Sequence, residues 1–143
     1  SIRTVRWAFA SSSNRRTGAV RVTRFVCAHD CGLIVNPDSL KGTIEGNLIQ
    51  SLGRTLKEEV MFDRNNVTSV AWRTYPVARW SDVPAQVDVV LINHPEIAPS
   101  GAGEPSSRPT AAAIANAIFD ATGVRLRQVP FTPARVKTAL SAV

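Results

Sequence analysis

The chain has 143 residues, of which 44% are hydrophobic and 20% charged, a size and balance that suit one soluble domain with a real core and exclude general disorder. No apolar run approaches the roughly 18 residues of a membrane-spanning helix, and the start, SIRTVRWAFASSSNRR, has no apolar core of signal-peptide length. The net charge of +6 comes entirely from residues 1–29, where Arg3, Arg6, Arg15, Arg16, Arg21 and Arg24 stand without an acid. Such an end can meet nucleic acid, an anionic membrane or an acidic neighbouring domain.

In chain order, the first segment predicts a β-hairpin. Val5, Trp7 and Phe9 alternate with polar or small residues, SSSNRRTG supplies the turn, and residues 19–26 resume a β-rich run. On that strand Val20, Val22 and Arg24 share one face, and Arg21, Thr23 and Phe25 the other. The arginines are then strand-surface residues, and Trp7 and Phe9 core residues, which weighs against a nucleic-acid surface that needs exposed stacking aromatics.

Cys27 and Cys31 lie four apart around His29, with His94 as the only other histidine. This is neither the four-ligand set of a zinc site nor the CxxC redox spacing. Two small side chains closing a strand is the favoured reading, ahead of a disulfide or a metal site.

After Asn36-Pro37-Asp38, apolar residues recur at Leu40, Ile44, Leu48, Leu52 and Leu56, predicting a helix over 38–60 with one apolar stripe. Gly42, Gly46 and Gly53 lie inside it, each costing about 1 kcal/mol against alanine. They point either to a close approach by backbone or ligand or to tight packing on a sheet. A strand is expected near 68–72, a loop over 73–84, the clearest strand over 86–93, and a small-residue helix over 111–121 ended by Gly123. A short strand at 124–129 precedes a last helix capped by Thr132 and Pro133. Helices and strands mix without strict alternation, so the fold class is α+β: a mixed sheet with an N-terminal β-hairpin and about three helices packed on it.

The loop Ser100-Gly101-Ala102-Gly103-Glu104-Pro105-Ser106-Ser107 is the richest in chemistry. Two glycines let the backbone approach a bound group, and exposed amides suit an anion. Glu104 follows directly as a candidate proton acceptor, with a capping role at the next helix as the plainer alternative. No GxGxxG, Walker, GxSxG or HExxH pattern is present.

Four segments, in order, resemble the C-terminal part of the large molybdenum subunit of the xanthine dehydrogenase/aldehyde oxidase family. They are Val26-Cys27-Ala28-His29-Asp30-Cys31-Gly32 with Val35-Asn36-Pro37; Gly42 to Gly53, leading to Glu58-Glu59; Gly101-Ala102-Gly103-Glu104-Pro105 with 112–118 and Thr122-Gly123-Val124-Arg125; and the ending 127–136. The resemblance covers about residues 18–140. In its HDCG and GAGEPSS detail it is most similar to the isoquinoline 1-oxidoreductase and nicotinate dehydrogenase type of β subunit.

The resemblance implies a single domain, 1–143, that forms the C-terminal molybdopterin-binding module of a larger subunit. The full enzyme would oxidise an N-heterocycle or an aldehyde with water-derived oxygen. Glu104 would be the general base that activates the Mo-bound hydroxyl. Gly101, Ala102 and Gly103 would lie by the cofactor, molybdopterin in its cytosine dinucleotide form, and no metal ligand is assigned. Electrons would leave through iron–sulfur clusters on a partner subunit, with a cytochrome c as an optional further partner. The isolated chain is expected to be inactive and to hold no molybdenum. One departure stands out: Thr43 occupies a position where the wider family usually has a cofactor-contacting glutamine. Thr43 is kept as a cofactor neighbour, and its presence motivates the alternative of an inactive binding or scaffold module of the same fold.

Overall fold

The structure, a computed structural model, describes residues 10–142. The expected strand through Val5, Trp7 and Phe9 therefore lies outside the described residues. Those residues form a three-stranded sheet in the order β1 (Ala10–Asn14), β2 (Ala19–Asp30), β3 (Gln86–Ile92), with helices α1 (Pro37–Leu56), α2 (Thr110–Thr122) and α3 (Pro133–Ser141). The serines expected in the turn belong to β1, and the turn is confined to 15–18, where Gly18 takes a positive φ of 73°.

β1 pairs antiparallel with β2, and β2 pairs parallel with β3, so the sheet is mixed as expected. The register of the β1/β2 pair slips between Ala10 and Ser11, whose partners are Arg24 and Val22. Thr23 is the extra residue on β2 at this slip, which resets the alternation. Val22 and Phe25 both face the core, although strict alternation puts them on opposite faces. Beyond the slip, Phe25, Cys27 and His29 follow the pleat inward.

Helix α1 starts where the sequence places it: the Asn36 side chain accepts from the Ser39 amide at 2.9 Å, and Pro37 opens the first turn. Ile44, Leu48 and Leu52 are fully buried against Val22, Phe25 and Cys27 of β2 and Ile114 and Ile118 of α2. Burying each such aliphatic side chain is worth about 1.5–3 kcal/mol, so this three-way contact is the main source of cohesion. Phe131 and Val136 close the core from the C-terminal side. The stripe continues in sequence to Val60, but the helix ends at Leu56 and Val60 is exposed, because the amides of Lys57 and Glu58 both turn back to the Gly53 carbonyl.

Two expected strands do not form among the described residues. Residues 68–72 are irregular, with bends at Thr68 and Ala71 and a turn beginning at Trp72, and the only ladder contact nearby among the described residues is a Phe62–Val67 bridge. Residues 124–129 run without a strand partner among the described residues. Val124 and Leu126 instead lie against the core edge, and apolar alternation there reflects one-sided packing rather than pairing. Gly123 ends α2 at a φ of 76°, as expected of a C-terminal glycine. No helix among the described residues is long and apolar enough to cross a membrane.

Candidate functional site

The carboxyl ends of β2 and β3, the first turns of α1 and the loop 93–104 meet at one edge of the sheet. Parallel strands that end side by side leave their ligand-binding crevice at this edge. The Asp30-Cys31-Gly32 turn makes the meeting possible. Gly32 has a φ of 81°, its amide donates to the Asp30 side chain at 3.1 Å, and its carbonyl accepts from the His94 amide at 3.2 Å. The Leu33 amide donates to the Ile97 carbonyl and the Ser100 amide to the Cys31 carbonyl, at 2.9 and 2.8 Å. The Asn93 side chain accepts from the Ile34 amide at 3.0 Å. The Gly-rich loop is thus stitched to the end of β2 before it reaches Gly101.

A cleft of about 320 Å³ opens between α1 and this loop, lined in part by Ser39, Leu40, Thr43, Ser100, Ala102 and Gly103. Three of the five sequence-selected residues, Thr43, Ala102 and Gly103, therefore share one cleft. Gly101 and Glu104 flank it as exposed residues. The Thr43 hydroxyl donates to the Ser39 carbonyl one turn back at 3.0 Å. Its proton is spent inside the helix, so toward the cleft the hydroxyl can only accept.

The amides of residues 101–104 have no partner among the described residues, so four donors stand at the loop surface. The Glu104 carboxylate likewise has no ion pair or hydrogen bond among the described residues. Its backbone carbonyl is held twice, by the Ser107 amide at 2.9 Å and the Ser107 hydroxyl at 2.7 Å. Buried Ser106 and Thr110 continue the structure into α2, with the Thr110 hydroxyl donating to the Ser106 carbonyl. The capping alternative for Glu104 does not match this arrangement: α2 begins at Thr110, preceded by Pro109, and has no side-chain cap.

Sequence reasoning missed Asn47. From α1 its amide nitrogen donates to the Gly103 carbonyl at 2.6 Å and to the Ser106 hydroxyl oxygen at 3.1 Å. A signal for it exists, since Ser39, Thr43 and Asn47 are spaced by single helical turns and share one face. Of the three helix glycines, Gly53 alone is tightly approached, by Ala78 and the Glu58 side chain; a Cβ on Gly42 or Gly46 meets nothing within 4 Å.

Both cysteines are free, and both are buried at the end of β2. Burial pushes the Cys27 thiol up to about 11, and burial, with Asp30 adding to it, raises Cys31. His29 is 3% exposed, and its Nε2 has no hydrogen-bond partner among the described residues. Desolvation lowers its pKa, opposed by the charge of Asp30.

A molybdopterin cofactor-binding domain family matches residues 12–84. A nicotinate dehydrogenase subunit of Pseudomonas putida is 48% identical over 134 residues, 94% of this chain and 11% of that protein. The beta subunit of isoquinoline 1-oxidoreductase from Brevundimonas diminuta is 35% identical over 85% of this chain and 15% of its own length. The crystal structure of quinoline 2-oxidoreductase from Pseudomonas putida 86 superposes with a TM-score of 0.84 at 28% identity, over 94% of this chain and 18% of that one. The chain thus spans less than a fifth of each of these relatives. With the cleft at the expected sheet edge and the motifs around it, the chain belongs to the molybdopterin cofactor-binding domain family of xanthine dehydrogenase-type enzymes, as its sequence motifs implied.

Proposed function

We propose that this chain is the C-terminal cofactor-binding module of a molybdenum hydroxylase, forming one domain over 1–143 and carrying the general base of that enzyme. The observation that carries the reading is the pairing of an unengaged Glu104 carboxylate with an anchored glycine loop beside an open cleft.

The residues fit an anionic pterin. The four amides at 101–104, without partners among the described residues, are donors for negatively charged or carbonyl oxygens. A Cβ on Gly101 or Gly103 meets nothing within 4 Å, so the backbone there is open to a flat group. Gly101, Ala102 and Gly103 would hold the cofactor from one side, and Thr43 would receive a hydrogen bond from it across the cleft. When bound, the molybdenum cofactor, in its cytosine dinucleotide form, supplies the two-electron redox chemistry. The Glu104 carboxylate takes the proton of the water-derived hydroxyl that attacks the substrate carbon, an electron-poor position of an N-heterocycle or an aldehyde. A positioned general base of this kind contributes roughly 10²–10⁴ in rate. Iron–sulfur clusters on a partner subunit would take up the electrons. The test is Glu104→Gln in the assembled enzyme, read as turnover per bound molybdenum.

A second reading, an inactive scaffold of the same fold, rests on Thr43, whose hydroxyl has already committed its proton. Wild-type assembled enzyme that binds no molybdenum favours the scaffold; a molybdenum-loaded enzyme that turns over removes it.

A further inference from the structure

We propose that Asn47 is the positioning residue that sets where the Glu104 carboxylate stands; this rests on Glu104 being the base. Gly103 has no side chain, and a Cβ there would touch nothing within 4 Å, so no neighbour packs against the Cβ side of this residue. Glycine has the widest conformational freedom of any residue. A base mounted directly after such a glycine would sample many positions, and a displacement of about 1 Å costs on the order of 100-fold in rate. Something outside the loop must fix the 103–104 peptide.

Asn47 does so from a rigid helix. The Gly103 carbonyl belongs to the peptide that joins Gly103 to Glu104, so a bond to that oxygen orients the plane from which the Glu104 backbone departs. A carbonyl can only accept, which requires the amide nitrogen of Asn47 to face it, at 2.6 Å. The same nitrogen donates to the Ser106 hydroxyl, whose residue is fully buried. One side chain thus pins the chain on both sides of Glu104, at Gly103 and at Ser106. The Ser107 amide and hydroxyl hold the Glu104 carbonyl between them. Asparagine is a poorer residue than alanine within a helix, so its place in α1 is explained by this tertiary contact rather than by helix formation.

The test compares Asn47→Ala and Asn47→Asp with Glu104→Gln in the assembled enzyme. Asn47→Asp keeps the shape and, when ionised, sets a negative oxygen against the Gly103 carbonyl. Protonation returns one donor. The expected result is a 10- to 100-fold fall in kcat for both Asn47 variants at neutral pH. KM and molybdenum content should stay within twofold. The deficit of Asn47→Asp alone should shrink as pH falls, a behaviour that simple loss of packing does not produce. Independently of turnover, exchange of the Ser107 amide, which donates to the Glu104 carbonyl, should quicken by at least tenfold in both variants, with melting temperature little changed. Normal kcat and unchanged exchange in the Asn47 variants, beside an impaired Glu104→Gln enzyme, overturn the role of Asn47 alone. A Glu104→Gln enzyme of normal turnover overturns the base reading and, with it, the positioning role.

Discussion

A side chain on Gly32 would place its Cβ 2.6 Å from the carbonyl oxygen of Ala98, and the backbone there already sits at a φ of 81°. Position 32 is therefore closed to any other residue on two counts, conformation and space. This single glycine lets the end of β2 lie against the loop that leads to Gly101.

Gly32→Ala tests that relationship. Left-handed backbone costs a non-glycine residue about 1–3 kcal/mol, and the clash with Ala98 adds to it. The chain should lose at least that much stability in urea unfolding, and exchange of the bonded amides of His94, Ile97 and Ser100 should quicken. A melting curve identical to wild type would contradict the close approach.

His29 predicts an acid-sensitive fold. Its folded pKa lies below its ordinary value of 6.5 because burial disfavours the charged ring, so the unfolded chain binds more protons in that window. Stability is full above about pH 6.5 and falls as pH drops from there toward the folded pKa. Asp30 softens the effect. Replacing His29 with glutamine should flatten the melting temperature between pH 7 and the folded His29 pKa, while the carboxylate-dependent loss at lower pH remains.

Cys27 should be inert in the native state. Its thiol is fully buried and raised to about 11, so little thiolate exists near neutrality. A thiol reagent near neutral pH should modify Cys27 only as fast as the domain opens, and at once in denaturant. Labelling of native Cys27 at the rate of a free thiol would contradict the core assignment.

Much of the fold is legible in the sequence because local signals and tertiary packing agree. Asn36-Pro37, Gly123 and Thr132-Pro133 each place a helix end through backbone chemistry that packing does not override. The four-residue spacing of Leu40 to Leu56 gives the buried face of α1. The misreadings occur where a pattern has two physical meanings. Alternation at 124–129 is also what an unpaired segment shows when one side lies on a core. The faces of β2 change at a register slip that depends on the neighbouring strand, which no property of 19–26 encodes. At the site, the Gly101–Glu104 loop is conspicuous because its residue types are unusual together. Asn47 is not, because its partners lie 56 and 59 residues away and one of them is a backbone carbonyl, which has no sequence signature.

The proposed role of Glu104 as proton acceptor of a molybdenum hydroxylase is tested most directly by the rate of substrate-driven cofactor reduction in a single turnover, with wild-type and Glu104→Gln enzymes matched for bound molybdenum. A loss of at least about 100-fold at unchanged cofactor loading is the predicted result. A Glu104→Gln enzyme that is fully loaded and reduced within a few-fold of the wild-type rate would contradict it.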